Sequence, residues 1–600
     1  MNKIAKLLIK NSIIFRNSII SSNFSTVSNN DILITKKVIR ENNKILNNNN
    51  IENIKDIQKN YNNMNIKDAI KTVDILYKKI KKNKENLYYT NLTTSKEFEQ
   101  ICKIICKNVR SLSIYDTINI LRNLLFLNIP SDTVIIQTLL QLIRISLNDL
   151  TVGQIMILYN MLYKVEATPL IKVLLPALSH VFNERAQIEL NSNSINLLQA
   201  LQFCFIINNS KIKRHIITLL VESKQKINLD YIIDIFNAIY TLPKLCLSSK
   251  QLLLCVQNII ITYCRRLNFN EINYLLNCIS EKFMNSEMEF YCEALIDKLC
   301  STVIINNITF QQNLIILKHL NNMRYSNISV LNCIEKSFKD TNIENYSIQH
   351  IDLFIKGFVI ADYVPHNWKI IRRILQNYVI HTDYSMHNIV SIAYYLLSLN
   401  YYYPELIEKV FILYNNDSII KEKHIILTIL KLYWCIKLLY PEYKGVMPDE
   451  NKLNQIKIEH KNNNVLHLMK SLKEAVGGAE YMKSSLKTKF GEFVDHIIVI
   501  QPDGSLMNIN NYNNITFVED LASLSECIKI LIFAFPIEAY SINKRNMLST
   551  VKILLKAIET LQGFHPFVIN PYLWKNLSDK KRILYLQEAI KLKYNNISNN

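Results

Sequence analysis

The sequence has 600 residues, which is enough for three or four average domains or for one extended repeat array. It carries 70 Lys and Arg against 50 Asp and Glu, a net charge of +20, and 49% of its residues are hydrophobic. Only 8 residues are glycine, far below the average usage of about 7%. The Gly-rich phosphate loops of Rossmann and P-loop enzymes are therefore not expected to form the body of the protein. We expect a mainly helical protein.

The N-terminal residues are basic, rich in serine and free of acidic side chains. Asp31 is the first acid, and four cations precede it among apolar residues. These cations are Lys3, Lys6, Lys10 and Arg16. A basic, acid-poor and amphipathic start is typical of a mitochondrial presequence. We therefore predict a presequence over residues 1–30 and a location in the mitochondrial matrix, with an ordinary basic first helix as the alternative.

Residues 31–90 are rich in asparagine and lysine, and Asn47 to Asn50 form an unbroken run. Such tracts bury little surface, so this segment is predicted to be a linker. The basic run from Lys78 to Lys84 could contact RNA, although a solvated helix face is the simpler interpretation. No uncharged apolar run reaches about 18 residues, so we expect no membrane span.

A helix-start pattern recurs along residues 91–440. A side chain able to cap a helix is followed at once by an apolar residue, at intervals of 34 to 43 residues. The capping positions are Ser113, Thr151, Ser194, Asn228, Asn268, Thr309, Ser347 and Ser385. Each side chain can accept a backbone N–H bond from a first helical turn. A repeat of this length holds two helices and two short connections.

Second helix starts lie inside several of these repeats. Thr168-Pro169 combines a capping residue with proline at the first helical position, and further starts are predicted at Pro130-Ser131, Ser210 and Ser248-Ser249. Stacked helix pairs form an α-solenoid, which is a platform for binding. The basic composition favours RNA as its ligand, because phosphate neutralisation supplies most non-specific affinity. A protein-binding HEAT-like scaffold is the alternative.

The cysteine pattern favours a reducing compartment. The 12 cysteines are scattered, none forms a Cys-x-x-Cys motif, and no His/Cys pair has zinc-finger spacing. Cys102 and Cys106 lie one helical turn apart and could share a metal, but two small core residues on one helix face are the favoured interpretation. We predict no metal site and no cofactor.

The composition changes after residue 444, where six of the eight glycines lie. Apolar runs typical of strands occur at 497–500, 528–535 and 567–569, separated by helical stretches. Gln501 to Gly504 have the residue types of a turn. These features predict connecting helices over residues 441–490 and a small α/β domain over residues 491–600.

The last segment contains a lysine-bearing helix, a glycine, a short hydrophobic strand, a tryptophan and a basic helix with Tyr-Leu. The residues in this order are Lys552, Leu555, Gly563, Val568, Trp574, Lys581, Tyr585 and Leu586. Over about 60 residues this segment resembles the RAP domain, the RNA-binding domain abundant in apicomplexans. The resemblance implies a restriction-endonuclease-like α/β fold, preceded by degenerate helical repeats of the heptatricopeptide or octotricopeptide type.

The acidic motif of that family is absent from the matching strand. The family usually has Glu-x-Asp-Gly-Pro before the lysine helix, and aligning its proline with Pro536 places Ile532 and Ala534 at the acidic positions. Glu538 is nearby but has no carboxylate partner in that stretch. Metal-dependent cleavage needs clustered carboxylates, so we predict a binding module with no catalytic residue. A diverged RNA endonuclease is the alternative.

The same segment carries the candidate RNA-binding residues. From Ser549 to Asn600 there are eight Lys or Arg against three acids. The candidates are Lys552, Lys556, Trp574, Lys575, Lys580, Lys581, Arg582 and Tyr585. Cations would hold phosphates while aromatic rings stack unpaired bases. For the two aromatic residues, packing of the last helix on the sheet is the alternative.

Taken together, these patterns predict a mitochondrial RNA-binding protein that stabilises, positions or helps process organellar transcripts. Its expected partners are single-stranded or structured mitochondrial RNA, foremost ribosomal RNA fragments during mitoribosome assembly, and mitoribosomal proteins.

Overall fold

The computed structural model describes part of the chain in detail. The described ranges are 64–82, 95–192, 197–223, 229–306, 308–337, 347–365, 369, 386–416, 422–454, 468–512, 515–524 and 526–598. The predicted presequence and most of the predicted linker lie outside them. Within these ranges the protein is mainly helical and ends with a small sheet, as expected, and the sheet described there has four strands.

The chain divides into two compact units, residues 1–216 and 217–600. The first unit is helical, and its last helix contains the point of division. Its helices are α1 (Ile66–Lys82), α2 (Lys96–Lys107), α3 (Ile114–Phe126), α4 (Val134–Ile145), α5 (Val152–Leu162), α6 (Pro169–Glu189), α7 (Leu197–Ile206) and α8 (Ser210–Glu222).

The second unit begins with further helices and ends with the sheet. The helices before the sheet are α9 (Ile232–Tyr240), α10 (Leu247–Tyr263), α11 (Phe269–Met284), α12 (Glu293–Ile305), α13 (Phe310–Met323), α14 (Ile328–Ser337), α15 (Ile348–Ala361), α16 (Met386–Ser398), α17 (Pro404–Asn416), α18 (Lys423–Leu439), α19 (Glu450–Asn454) and α20 (Leu468–Val476).

The predicted helix starts can be checked at five of the eight capping positions. Ser113, Thr151, Asn268 and Thr309 each accept a hydrogen bond from the backbone N–H three residues later, and Ser347 directly precedes α15. These five predictions are confirmed. Ser194, Asn228 and Ser385 lie outside the described residues.

The predicted second helix starts within the repeats agree with the structure at some positions and differ by a few residues at others. The Thr168 hydroxyl caps α6 with Pro169 as its first residue, and Ser210 begins α8, as predicted. Helix α4 begins at Val134 after Thr133, three residues beyond the predicted Pro130-Ser131 start. Helix α10 begins at Leu247, just before the predicted serine pair.

Helices pair with their neighbours in sequence and also stack in two rows within each unit. In the first unit α1, α3, α5 and α7 contact one another in succession, and so do α2, α4 and α6. In the second unit one row contains α9, α11, α13, α15, α16 and α18, and the other contains α10, α12 and α14. The buried side chains of these helices are mostly Leu, Ile and Phe, so apolar burial between rows stabilises the stack.

The sheet contains β1 (Met482–Lys487), β2 (Phe493–Ile500), β3 (Ile528–Phe533) and β4 (Phe564–Val568), in that spatial order. The first three strands are antiparallel, and β4 runs parallel to β3. Parallel strands need a crossover, and here the crossover contains α21 (Ser549–Glu559). The short α22 (Pro571–Trp574) and the long α23 (Asp579–Ser598) follow β4.

One face of the sheet packs against α20 and α23. Ile498, Ile530 and Ile532 contribute from the strands, Leu472 from α20 and Leu586 from α23, and all five are buried. The apolar runs predicted as strands are β2, β3 and β4. Strand β1 was not predicted, because its central residues are polar.

Helix α21 connects the sheet to the helical rows of the same unit. Helix α21 contacts β4 and also α15, α16 and α18. The Tyr394 hydroxyl of α16 donates a 2.8 Å hydrogen bond to the Thr550 carbonyl of α21. Within the second unit the sheet and the helices therefore share a packed contact.

In the described part of the chain, no helix is both long and apolar enough to cross a membrane.

Candidate nucleic-acid interface

Three of the predicted cations lie near the start of the last helix. Lys575 follows α22, and Lys580 and Lys581 belong to the first turn of α23. All three are exposed, and none has a carboxylate within ion-pair distance among the described residues. A helix start already carries a partial positive charge, so lysines at this end concentrate positive potential where an anion would bind. We call Lys575, Lys580 and Lys581 the lysine cluster.

Trp574 and Tyr585 pack inside the module. Trp574 is 2% exposed and belongs to the apolar cluster between the sheet, α20 and α23. Its ring centroid lies 6.4 Å from that of Tyr585, which also approaches Phe567 at 6.3 Å. The Trp574 ring has no free face for a base, so the packing alternative matches the structure and base stacking on this residue does not.

Arg582 holds α22 to α23. Its Nε and Nη2 atoms each donate to the Trp574 carbonyl at 3.4 Å, and its Nη1 atom pairs with Asp579 at 2.9 Å. The guanidinium also lies over the Trp574 ring, 5.3 Å from its centroid. Arg582 therefore contributes to the local fold, and the role predicted for it as a phosphate contact competes with these bonds.

Lys552 takes part in the contact between α21 and the helical rows. Its Nζ atom forms an ion pair with Asp362, the residue that follows α15. Of the two cations predicted on α21, only Lys556 is exposed without an ion pair among the described residues.

The predicted residues do not form one continuous surface. Glu559, one turn after Lys556, pairs with Lys593 at 3.6 Å. Lys593 lies twelve residues after Lys581 on α23, which is about 18 Å along a helix. Lys556 therefore lies near the far end of α23, away from the lysine cluster.

Gly563 of the RAP-like motif has a structural role that the fold explains. Its φ of +74° lies in the left-handed region, which glycine enters without the steric cost of a Cβ atom. Its carbonyl accepts a 2.7 Å hydrogen bond from the Lys529 N–H. This conformation turns the chain from α21 into β4.

The strand edge that corresponds to the acidic motif of the RAP family, to which the sequence is similar, is largely apolar. Ile532 and Ala534 are buried, and Glu538 is exposed. Asp495 of β2 is the carboxylate closest to this edge in register, and its Oδ2 atom accepts a 2.7 Å hydrogen bond from the Ala534 N–H. No group of three or more potential metal ligands occurs within the described ranges.

Cys102 and Cys106 are half-buried on α2. Burial raises the pKa of the Cys102 thiol to about 12 and also raises that of Cys106. Both thiols therefore stay protonated at neutral pH.

The structure also brings together residues that the sequence analysis did not select. Arg324, at the end of α13, contacts the loop that contains Arg545, and Tyr572 of α22 lies beside Arg545. The only sequence signal was the pair Lys544-Arg545 between two asparagines. That pair falls outside the RAP-like helices on which the prediction was based.

Comparison with known proteins gives no match to any family model and none to any curated protein.

Proposed function

We propose that this chain is a mitochondrial RNA-binding protein whose C-terminal module is a RAP-like domain preceded by an α-solenoid. The observation that carries the proposal is the lysine cluster at the start of α23. Three exposed cations without ion pairs among the described residues lie where the helix dipole is also positive. A phosphate backbone is a ligand that such cations neutralise.

The solenoid part of the proposal is supported by the two rows of stacked helices and by the capped helix starts that recur in the sequence. Such arrays bind extended ligands along a surface built from successive repeats. An RNA strand fits the basic composition of the chain.

The mitochondrial part is supported by the basic, acid-poor start of the sequence. The RAP resemblance favours organellar RNA metabolism, with ribosomal RNA fragments as the first target and mitoribosome assembly as the process. We propose a role in stabilising or positioning these RNAs by binding, without catalysis.

Crosslinking in isolated mitochondria, followed by sequencing of the attached RNA, tests this proposal. Enrichment of a few defined ribosomal fragments would support it, and enrichment of messenger ends would move the function to transcript processing. Recovery equal to that of an uncrosslinked control would contradict RNA binding and favour a protein-binding scaffold.

A matched pair of variants sharpens the experiment. K575A/K580A/K581A removes the lysine cluster, and we expect a loss of crosslinked RNA. K172A/K336A/K444A removes three other exposed lysines and the same total charge, and we expect it to retain crosslinking. Equal losses in both variants would show that net charge alone, and not this cluster, attracts the RNA.

A further inference from the structure

Several buried polar groups without partners gather at one place in the second unit. Twelve buried side-chain nitrogen or oxygen atoms in the described residues have no hydrogen-bond partner. Four of them belong to residues that approach one another: Tyr291 Oη, Arg324 Nε, Tyr540 Oη and Tyr572 Oη. A buried donor without a partner is destabilising, so a concentration of such atoms calls for a physical explanation.

These residues come from four separate segments. Tyr291 precedes α12, Arg324 follows α13, Tyr540 follows β3 and Tyr572 lies in α22. The rings of Tyr540 and Tyr572 meet edge to face with centroids 6.1 Å apart. Arg545 lies over the Tyr572 ring, with its Cζ atom 5.2 Å from the centroid.

On the helical side of the cluster, the Phe283 ring lies between Arg324 and Tyr291. The Arg324 Cζ atom lies 5.6 Å from the Phe283 ring centroid, and that ring lies 6.0 Å from Tyr291. We call Tyr291, Arg324, Tyr540, Arg545 and Tyr572 the Tyr–Arg cluster.

Both arginines of the cluster have left-handed backbone conformations. The φ angle is +54° at Arg324 and +57° at Arg545, a region that residues with a Cβ atom enter at a steric cost. Strain of this kind is often found at functional sites. Here both arginines act electrostatically on the Tyr572 hydroxyl.

Hydrogen bonds hold the strained segments together. The Ile542 N–H donates to the Arg324 carbonyl at 3.0 Å. Asn543 accepts from the Ser326 N–H at 3.0 Å and donates to the Ser326 carbonyl at 2.8 Å. The loop between β3 and α21 is therefore fixed against the end of α13, so the cluster is formed before any ligand arrives.

The charges around Tyr572 favour an anion. Burial raises the pKa of its hydroxyl, while Arg324 and Arg545 lower it and Glu538 raises it. Two cations and one carboxylate therefore act on this hydroxyl, which leaves a net positive charge at Tyr572. On the helical side of the cluster, Glu293 and Asp297 place two carboxylates near Tyr291, so the anion is expected on the Tyr572 side. Burial also raises the pKa of Tyr540 to about 12, so at neutral pH both hydroxyls are protonated and can donate.

We propose that the Tyr–Arg cluster binds a terminal phosphate group of RNA. Guanidinium and phenol groups supply N–H and O–H donors, and a phosphate monoester is an acceptor with three oxygens and up to two negative charges. Tyr540 is only 2% exposed. A terminal phosphate offers three unbridged oxygens to the several donors gathered here, whereas an internal phosphodiester offers only two. This inference rests on the proposed RNA-binding function and adds end recognition to it.

Fluorescence anisotropy on the full chain tests the inference with three labelled oligoribonucleotides of one sequence. One carries a 5′-phosphate, one a 3′-phosphate and one only hydroxyl ends, each with an internal label. We expect one of the phosphorylated oligonucleotides to bind about tenfold more tightly than the hydroxyl form, which corresponds to about 1.4 kcal/mol, because charge-assisted hydrogen bonds form to the terminal phosphate. The phosphorylated oligonucleotide with the higher affinity identifies the end of RNA that is bound.

Two variants assign the effect to this site. R545Q changes an exposed side chain. We expect this variant to bind the phosphorylated and the hydroxyl oligonucleotides equally well, with the affinity for the hydroxyl oligonucleotide unchanged from wild type. Y572F removes a hydroxyl that has no partner in the described structure. We expect Y572F to keep its thermal stability and still lose phosphate preference, which a purely structural tyrosine would not do. K544Q is the matched charge control and is expected to keep the preference.

The outcomes separate the two proposals. Equal affinity of the wild-type chain for all three oligonucleotides would overturn end recognition and leave RNA binding standing. A phosphate preference that survives R545Q and Y572F would overturn the assignment to this cluster. Absence of binding to any oligonucleotide would overturn both.

Discussion

The Asp362 carboxylate accepts a 2.7 Å hydrogen bond from the Ser549 hydroxyl, although 187 residues separate the two positions. The same carboxylate pairs with Lys552 one turn further along α21. Asp362 also ends α15 in the left-handed conformation, with a φ of +49°. One residue thus ends a helix of the stacked rows and attaches the C-terminal module to it.

The variant D362A is expected to loosen this attachment. It removes the acceptor for Ser549 and the partner of Lys552, and the free energy of unfolding should fall by about 1–2 kcal/mol. Hydrogen exchange of the α21 amides, residues 549–559, is expected to accelerate. D362N is the control, because asparagine tolerates the left-handed conformation and can still accept from Ser549. Unchanged exchange in D362A would contradict the role of Asp362.

Lys529 is buried in the middle of the sheet without a hydrogen-bond partner in the described structure. It is 0% exposed, its Nζ atom is unpaired, and it lies over the Phe564 ring at 4.9 Å from the centroid. Burial lowers the pKa of this amine. An unpaired buried charge is costly, so K529M is expected to stabilise the protein by about 1–3 kcal/mol.

Thermal denaturation at pH 7 measures this effect, with K473M at an exposed position as the control. Between the lowered pKa of the folded chain and the ordinary value near 10.5, the unfolded chain binds more protons. Stability of the wild type should therefore rise with pH in this window, and K529M should flatten the rise. A lower melting temperature for K529M would show that the amine is satisfied in solution.

Two buried histidines predict a loss of stability in mild acid. Burial lowers the pKa of His319 and of His496 to about 4. The Ser484 hydroxyl contacts His496 Nδ1 at 2.8 Å, and Asn273 contacts His319 Nε2 at 2.9 Å. Both rings are neutral in the folded chain at neutral pH.

An unfolded histidine has a pKa near 6.5, so the unfolded chain binds more protons than the folded chain between pH 6.5 and about 4. Stability should fall through this window by up to about 3 kcal/mol per histidine. Urea denaturation at pH 7 and pH 4.5 measures the difference. H319Q and H496Q should each reduce it, whereas H180Q at an exposed position should not. A pH dependence that both buried-site variants retain would exclude these histidines as its origin.

The lysine cluster predicts a salt-dependent RNA affinity. Each phosphate neutralised on a single strand contributes about −0.7 to the slope of log affinity against log salt concentration. K575A/K580A/K581A should therefore make the slope less negative by about 2. Titrations of a single-stranded oligoribonucleotide at several salt concentrations give both slopes. If the slopes agree, the cluster does not contact phosphate.

The local part of the fold was predictable because it depends on short-range chemistry. Capping side chains bond to the first turn of their own helix, so Thr151, Asn268 and Thr309 mark helix starts without any tertiary information. The apolar strands β2 and β3 were visible for the same reason. Strand β1 was not, because its polar residues form a strand only through pairing with β2.

The candidate interface was predictable only as a local excess of positive charge. Sequence does not show which cations are already paired, and Lys552 is paired with a residue 190 positions away. Nor does it show that the Trp574 ring is enclosed between the sheet and α23. Both facts depend on which segments fold against each other.

The sequence by itself determined the helical character, the helix starts and the positive charge, since composition and capping act within a few residues. Only the tertiary structure decided which charges remain exposed and which polar groups meet. Arg324 and Arg545 come together because Asn543 bonds to Ser326 across 217 residues. No local pattern encodes such a contact, because it arises from the packing of the whole second unit.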